Sequence, residues 1–214
     1  FLEAHLDRLW EGATALMIDI GLSREELSAA IYETLAANDM HDGVHIRLMV
    51  SRGVKSTPYQ VPRLTIGSAT VVIIAEHKEP LPSTVTEGIT LFTTHVRRAN
   101  PDTLDPRLNA HSKLNDITAC IQAANAGADE ALMLDPDGFV ATCNSTHFFI
   151  VTRDNEVWTS DGRYCLHGIT RANVLKVCSA AGIVAREKTF SLTDVYSARE
   201  AFVTGTFAGV VPVR

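Results

Sequence analysis

Apolar residues recur every three or four positions near the start of the chain, a spacing typical of amphipathic helices. Further along they gather into short continuous runs, which favour strands. The second helix carries its own start signal, because Ser23 and Glu26 have the spacing of a capping box. In the first part of the chain the pattern predicts helices over residues 2–17 and from residue 23 onward, and strands over 45–51 and 69–76.

The second part of the chain alternates helices with strands. Asp137-Gly138 stands between two apolar runs, which is a typical signal for antiparallel strands joined by a tight turn. Helices are predicted over 113–126 and 170–181, and strands over 131–134, 139–141, 147–152, 156–159, 183–188 and 200–204. The buried face of the first of these helices is expected to carry Ile117, Cys120, Ile121 and Ala124. This mixture predicts a fold of the α/β (α+β) class.

A pair of prolines divides the chain. Pro80 and Pro82 interrupt both helical and sheet hydrogen bonding. We therefore predict a small N-terminal domain over 1–82, a linker over 83–89 and a larger C-terminal domain over 90–214. Because the chain has no initiator Met and stops in the strand-like segment 210–214, we expect both of its ends to be truncated.

Composition narrows the class of protein without naming its chemistry. The 214 residues are 46% hydrophobic and 21% charged, as in ordinary globular proteins. A net charge of −6 argues against a nucleic-acid partner, and no apolar run reaches the roughly 18 residues of a membrane span. The four cysteines have no CxxC spacing and the histidines no HExxH spacing, so we expect reduced thiols and no metal site. Since no targeting segment is visible in the sequence, we expect a cytoplasmic location.

Two segments of the last third that contain glycine and threonine are candidate anion sites. Gly168-Ile169-Thr170 precedes a predicted helix with Thr170 as its N-cap, and Gly205-Thr206 is expected to begin another helix. Amides in the first turn of a helix have no intrahelical partner and can bind a phosphate. Each segment also suits a plain turn into a helix, so a structural role stays open.

Lys113 and Arg8 are the candidate cationic groups. Lys113 stands where an apolar-striped helix begins, and apolar surroundings there would favour the neutral amine that attacks a carbonyl. It would equally suit a solvated helix start. Arg8 lies on the polar side of the first helix, where it either faces solvent or binds a phosphate with two N–H groups. A lysine together with two phosphate-binding segments suggests a phosphorylated aldehyde as cofactor.

As a set, these motifs resemble those of the class IV aminotransferases, the fold-type IV pyridoxal-phosphate enzymes. The resemblance rests on residues 5–9, 45–47, 113–115, 126–135, 166–171, 200–206 and 211–213. The family includes branched-chain aminotransferases, D-amino acid aminotransferases and aminodeoxychorismate lyases. Membership would imply a homodimer whose subunits have a small N-terminal and a larger C-terminal domain, with pyridoxal 5'-phosphate between them.

The resemblance also assigns roles to residues. It implies that Lys113 forms a Schiff base with the cofactor and later moves a proton, and that Arg47 helps to bind a substrate carboxylate. The residues that it implies for cofactor binding are Arg8, Thr142, Gly168, Ile169, Thr170, Gly205 and Thr206.

Two positions depart from the family pattern. Lys113 and Asn115 are two residues apart where the family has three, so strict alignment on Asn115 puts Ser112 at the lysine position. We retain Lys113 because the chemistry requires an amine. Thr142 stands where the family has a Glu that pairs with the pyridine nitrogen of the cofactor. A hydroxyl only hydrogen-bonds, so the ring would be protonated less often and would stabilise a carbanion less well.

The function that the sequence favours is a pyridoxal-phosphate-dependent aminotransferase. It would move an amino group between a small or branched amino acid and a 2-oxo acid in a ping-pong cycle. An aminodeoxychorismate-type lyase and a D-amino acid aminotransferase are alternatives within the same fold. The two departures also leave open a cofactor-binding protein with little transaminase activity.

Overall fold

The computed structural model describes residues 1–214, in which helices and strands are interspersed as the α/β prediction required. The helices are α1 (Leu2–Ala15), α2 (Arg24–Ala37), α3 (Pro82–Thr86), α4 (Pro101–Leu104), α5 (Leu114–Asn125), α6 (Ile169–Ala180) and α7 (Leu192–Ser197), with a 3-10 turn at Pro62–Leu64. The strands are β1 (Val44–Ser51), β2 (Thr70–His77), β3 (Leu91–Thr93), β4 (Glu130–Leu134), β5 (Val140–Cys143), β6 (His147–Val151), β7 (Val157–Thr159), β8 (Ala185–Glu187), β9 (Glu200–Gly205) and β10 (Gly209–Val213). The chain divides into two compact units, Phe1–Glu79 and Pro80–Arg214.

The first unit contains α1, α2 and the antiparallel pair β1–β2. The capping box predicted at the start of α2 is confirmed, because Ser23 and Glu26 each accept a hydrogen bond from the other's backbone N–H. The side chains of Leu27 and Ile31, on one side of that helix, are buried. The two strands pair in continuous register over their whole length.

The second unit is layered around two sheets. One sheet has the order β10-β9-β6-β7-β8, and the other has the order β3-β4-β5. Alternate side chains of β4 and β6, such as Leu132 and Ile150, join the core cluster that contains residues of both sheets. On the other faces, Met133 packs in a cluster with α5, and Phe149 packs in a cluster with Cys178 of α6. Since both faces of β4 are covered, all of its residues are buried.

The buried face of α5 differs from the prediction. The helix buries Ala119 and Ala123, whereas Ile117 and Ile121 are 49% and 52% exposed. The two predicted positions Cys120 and Ala124 are half-buried and exposed, respectively. Small alanine side chains face β4, where they allow a helix to approach a sheet closely, so apolar content alone indicated the wrong face.

Two turns in the last third also differ from the prediction. Helix α6 begins one residue earlier than expected, and its N-cap is Gly168 rather than Thr170. Gly205-Thr206 does not begin a helix but opens the hairpin turn between β9 and β10. Gly209 ends that turn with a φ of 70°, a left-handed conformation that glycine adopts without strain and that returns the chain into a strand.

The residues predicted as a linker, 83–89, lie in the second unit. Part of this segment forms the short helix α3, and Ile89 pairs in parallel with Val213 of β10. None of the helices of the chain combines the length and the apolar character that crossing a membrane demands.

Candidate functional site

The first turn of α6 presents backbone amides. Gly168 is the N-cap, with φ −70° and ψ 130°, and no side chain caps the helix. The first amide to bond back to the N-cap carbonyl is that of Ala172. The N–H groups of Ile169, Thr170 and Arg171 consequently have no partner within the helix and point toward its N-terminal end. Such a set of amides, at the positive end of the helix dipole, favours an anion.

The turn between β9 and β10 contributes hydroxyls. Thr204 is fully buried, and its Oγ1 is also buried and has no hydrogen-bond partner. Buried polar atoms are nearly always paired, so this hydroxyl marks a place where a further polar atom is expected. Gly205 and the exposed Thr206 follow it in the turn.

His147 lies beside both of these segments. It opens β6 and lies directly opposite Thr204 in the sheet register. Its imidazole packs against Gly168, and its Nε2 donates a hydrogen bond to the carbonyl of Leu166 at 2.6 Å. Sequence reasoning did not single out this residue, since its only local signal is a histidine at the start of an apolar strand.

We call the first turn of α6 and the segment Thr204-Gly205-Thr206 the phosphate cradle. It contains unpaired helix amides, a buried hydroxyl without a partner and, at Gly168, a backbone with no side chain. This donor set and this shape fit a phosphate group. Five of the residues for which the sequence predicted cofactor binding lie in the phosphate cradle, namely Gly168, Ile169, Thr170, Gly205 and Thr206.

Thr142 lies in β5 and is only 4% exposed. Its hydroxyl donates a hydrogen bond to the carbonyl of Thr146 at 2.9 Å. Because a hydroxyl has one proton, Thr142 retains only lone pairs for a further partner and acts there as an acceptor.

A buried carboxylate lies close to Thr142. Glu130 is 6% exposed, and its Oε1 accepts hydrogen bonds from the amides of Ser145 and Thr146 and from the Ser145 hydroxyl, each at 2.8 Å. Its Oε2 accepts a fourth from the Thr146 hydroxyl at 2.9 Å. Burial, and after it the charge of Glu130, raise the pKa of the neighbouring Cys143 thiol well above its ordinary value. Sequence reasoning identified no partner for Glu130, although an acid inside an apolar strand is itself a signal.

Of the two interpretations that the sequence left open for Lys113, the structure agrees with the solvated helix start and not with apolar surroundings. The residue is the N-cap of α5 and its side chain is 53% exposed, with Nζ 3.9 Å from Asp116. Asp116 also pairs with the half-buried Arg98. The cavity beside Lys113 is lined by residues 98–99, 104–106, 108, 110, 112–113 and 115–116, and therefore by no residue of the phosphate cradle.

The two arginines of the predicted site belong to the first unit. Arg8 is half-buried in α1, and burial lowers the pKa of its guanidinium while Glu11 acts in the opposite direction. Arg8 is thus not the fully solvated residue that one interpretation of the sequence allowed. Arg47 is exposed on β1, where it pairs with Ile74.

Comparison with known proteins identifies relatives along the whole chain. Branched-chain-amino-acid aminotransferase-like protein 2 of Arabidopsis thaliana is 40% identical over 212 residues, which cover 99% of this chain and 38% of that protein. The putative branched-chain-amino-acid aminotransferase of Methanocaldococcus jannaschii is 41% identical and matches 99% of this chain and 72% of its own length. The chain thus spans about 38% of the plant relatives that it matches.

Solved structures share the fold. A crystal structure of a branched-chain amino acid aminotransferase with pyridoxamine 5'-phosphate superimposes with a TM-score of 0.89 at 30% identity, and the match covers 99% of this chain and 69% of that one. The family model described as amino-transferase class IV matches residues 1–214. Because the match extends over all of these residues, the chain belongs to the class IV aminotransferase family.

Proposed function

We propose that this chain is the core of an aminotransferase that uses pyridoxal 5'-phosphate and moves an amino group between an amino acid, preferentially a branched-chain one, and a 2-oxo acid. Family membership and the names of its relatives support this activity. The observation that carries it is the phosphate cradle, in which the first turn of α6 and the strand with the unpaired Thr204 hydroxyl both lie beside His147. A related structure holds pyridoxamine 5'-phosphate.

The residues that would hold the cofactor are those of the phosphate cradle and those that the family resemblance implies. The amides of Ile169 and Thr170 and the hydroxyl of Thr206 would bind the phosphate group, and the resemblance implies the same role for Arg8. Thr142 would bond to the ring nitrogen only when that nitrogen carries a proton, because the hydroxyl's own proton is already donated to a backbone carbonyl and the oxygen can only accept. When bound, pyridoxal phosphate supplies an aldehyde carbon that receives the amino group and a ring that withdraws electrons.

Lys113 and Arg47 would act on the amino acid itself. The Nζ of Lys113 would remove the proton from the α-carbon of the amino acid as a general base, and would then deliver it as a general acid to the carbon that receives the amino group. In the second half of the cycle the same amine would move a proton in the opposite direction, onto the α-carbon of the 2-oxo acid. The exposed guanidinium of Arg47 would bind the substrate carboxylate through paired N–H groups. Moving a proton at the α-carbon would require the Lys113 side chain to leave Asp116, its ion-pair partner in the structure.

A second function is favoured by specific observations. Lys113 is half exposed and paired with Asp116, and Thr142 replaces the carboxylate that the family places at the ring nitrogen. Both features fit a protein that binds the cofactor and transfers amino groups slowly or not at all.

An amino-transfer assay separates these functions. The protein is incubated with pyridoxal phosphate, 2-oxoglutarate and L-leucine, L-valine or D-alanine labelled with ¹⁵N, and labelled glutamate is measured by mass spectrometry. We expect labelled glutamate from L-leucine and L-valine, and none in the Lys113→Ala variant. Lys176→Ala, which removes an exposed lysine of α6, is the control and should retain the labelling. Cofactor binding without label from any donor would contradict the aminotransferase and support the cofactor-binding protein. Label from D-alanine alone would support the D-amino acid enzyme.

We also propose that the protein is a cytoplasmic homodimer. The dimer rests on the family resemblance, and the location on four cysteines that are all free, as in reducing compartments. Light scattering after size exclusion tests the dimer, and fractionation of cells that express the full-length protein tests the location.

A further inference from the structure

Gly168 has an ordinary backbone conformation. Its φ of −70° and ψ of 130° are accessible to every residue, so its conformation does not require glycine. A Cβ at this position would nevertheless lie 2.3 Å from Cε1, 2.6 Å from Nδ1 and 2.9 Å from Nε2 of His147. Glycine is therefore needed here because an imidazole occupies the space that a side chain would fill.

The imidazole is held in this place from two sides. His147 is fixed at the start of β6 by its pairing with Thr204 of β9. At the other end of its side chain, Nε2 lies 2.6 Å from the carbonyl of Leu166, two residues before the N-cap of α6. Because a carbonyl only accepts, Nε2 is the donor in this bond. The ring thus connects the strand pair to the segment that leads into α6.

We propose that His147 is a positioning residue of the phosphate cradle. Through its contacts with Leu166 and Gly168, it sets the first turn of α6 against the strand that carries the Thr204 hydroxyl. The two groups of phosphate donors come from segments more than thirty residues apart in sequence, and His147 makes one donor set of them. The identity of the ligand as a phosphate ester rests on the proposed function, but the contact between the ring and the glycine does not.

A double-mutant cycle tests the contact between ring and glycine. Thermal unfolding is measured for Gly168→Ala, His147→Ala and the double variant. We expect Gly168→Ala to lower the melting temperature markedly, and the same change to lower it much less once the ring is removed. Gly205→Ala is the matched control, because a Cβ there meets only Thr146 at an ordinary 3.5 Å. This substitution should change the melting temperature by the same amount with and without the His147 ring. Additive effects at Gly168 would overturn the inference.

Ligand binding tests the positioning role. The probe is pyridoxine 5'-phosphate, which has the phosphate but no aldehyde, so that Lys113 chemistry does not enter the measurement. His147→Gln retains a donor for Leu166, whereas His147→Met has similar length and no donor. We expect the dissociation constant to stay within about threefold for the Gln variant and to rise about five- to tenfold for the Met variant, as for the loss of one hydrogen bond.

The outcomes distinguish this inference from the proposed function. Equal affinities of wild type, Gln and Met variants, all folded by circular dichroism, would overturn the positioning role alone. Binding of the probe with the expected order of affinities, but without amino transfer, would support the inference and contradict the aminotransferase. A wild-type protein that does not bind the probe would overturn both.

Discussion

The buried carboxylate of Glu130 is predicted to be a main source of local stability in the second unit. Its four hydrogen bonds are all donated by Ser145 and Thr146, which lie in the turn between β5 and β6. The carbonyl of Thr146 in the same turn accepts the Thr142 hydroxyl. Replacing Glu130 therefore disturbs both the fold and a proposed cofactor contact.

The magnitude follows from the donors that would lose their acceptor. A buried donor left unpaired costs about 1–3 kcal/mol. The hydroxyls of Ser145 and Thr146 can rotate to other partners, and the amide of Ser145 can bond to water because that residue is exposed. The Thr146 amide, left without an acceptor, therefore accounts for most of the free-energy cost. The cavity left by the removed side chain adds to this cost, so we expect Glu130→Ala to lower the free energy of unfolding by about 2–3 kcal/mol. Glu130→Gln retains an oxygen for the three Oε1 contacts and should lose only about 1 kcal/mol.

Urea unfolding followed by circular dichroism measures these values, with Glu33→Ala on the exposed side of α2 as a control carboxylate. In a chain of 214 residues the Ala variant should melt about 5–10 °C lower. If Glu130→Ala unfolds within about 0.5 kcal/mol of Glu130→Gln, the hydrogen bonds do not carry the stability and the reasoning is refuted.

Two further predictions concern pH and thiol reactivity. Hydrogen bonds, chiefly from Arg186, lower the pKa of Glu156 to about 2. The stability that the wild type gains over Glu156→Gln should be complete above about pH 4.5 and should disappear as the pH falls toward 2. If unfolding measured across this pH range shows a constant difference between the two proteins, the Glu156–Arg186 pair does not contribute as described. The half-buried Cys120 should react first with a thiol reagent, and Cys143, which is 2% exposed and has a raised pKa, should react only on unfolding. Alkylation mapped by mass spectrometry checks this order, which fast labelling of Cys143 would contradict.

Elements with local signals could be predicted from the sequence. The capping box of Ser23 and the Asp-Gly turn between β4 and β5 are set by neighbouring residues, and the structure contains both. Strand β3 was not predicted, because it is three residues long and is defined by parallel pairing with β4. The helix start predicted at Gly205 is a hairpin turn in the structure. A Gly-Thr pair suits both kinds of turn, and only the pairing of β9 with β10 distinguishes them.

The candidate site was predictable where it rests on short motifs. The segment around Gly168 is a recognisable turn into a helix, and its role as an anion site follows from backbone chemistry. The contributions of His147 and Glu130 were not predictable, because each depends on partners distant in sequence that only the folded sheets bring close. For Lys113 the sequence left open both an amine near apolar surface and a solvated helix start, and the fold decides for the second, with Asp116 as its ion-pair partner.

The most direct test of the proposed chemistry is to locate the lysine that bonds to the cofactor. The protein is mixed with one equivalent of pyridoxal phosphate, reduced with borohydride and digested, and the modified peptide is identified by mass spectrometry. We predict a single pyridoxyl group on Lys113, which is retained in Lys176→Ala and lost in Lys113→Ala. A wild type that binds the cofactor but carries no label on Lys113, or carries it equally on several exposed lysines, would contradict the account.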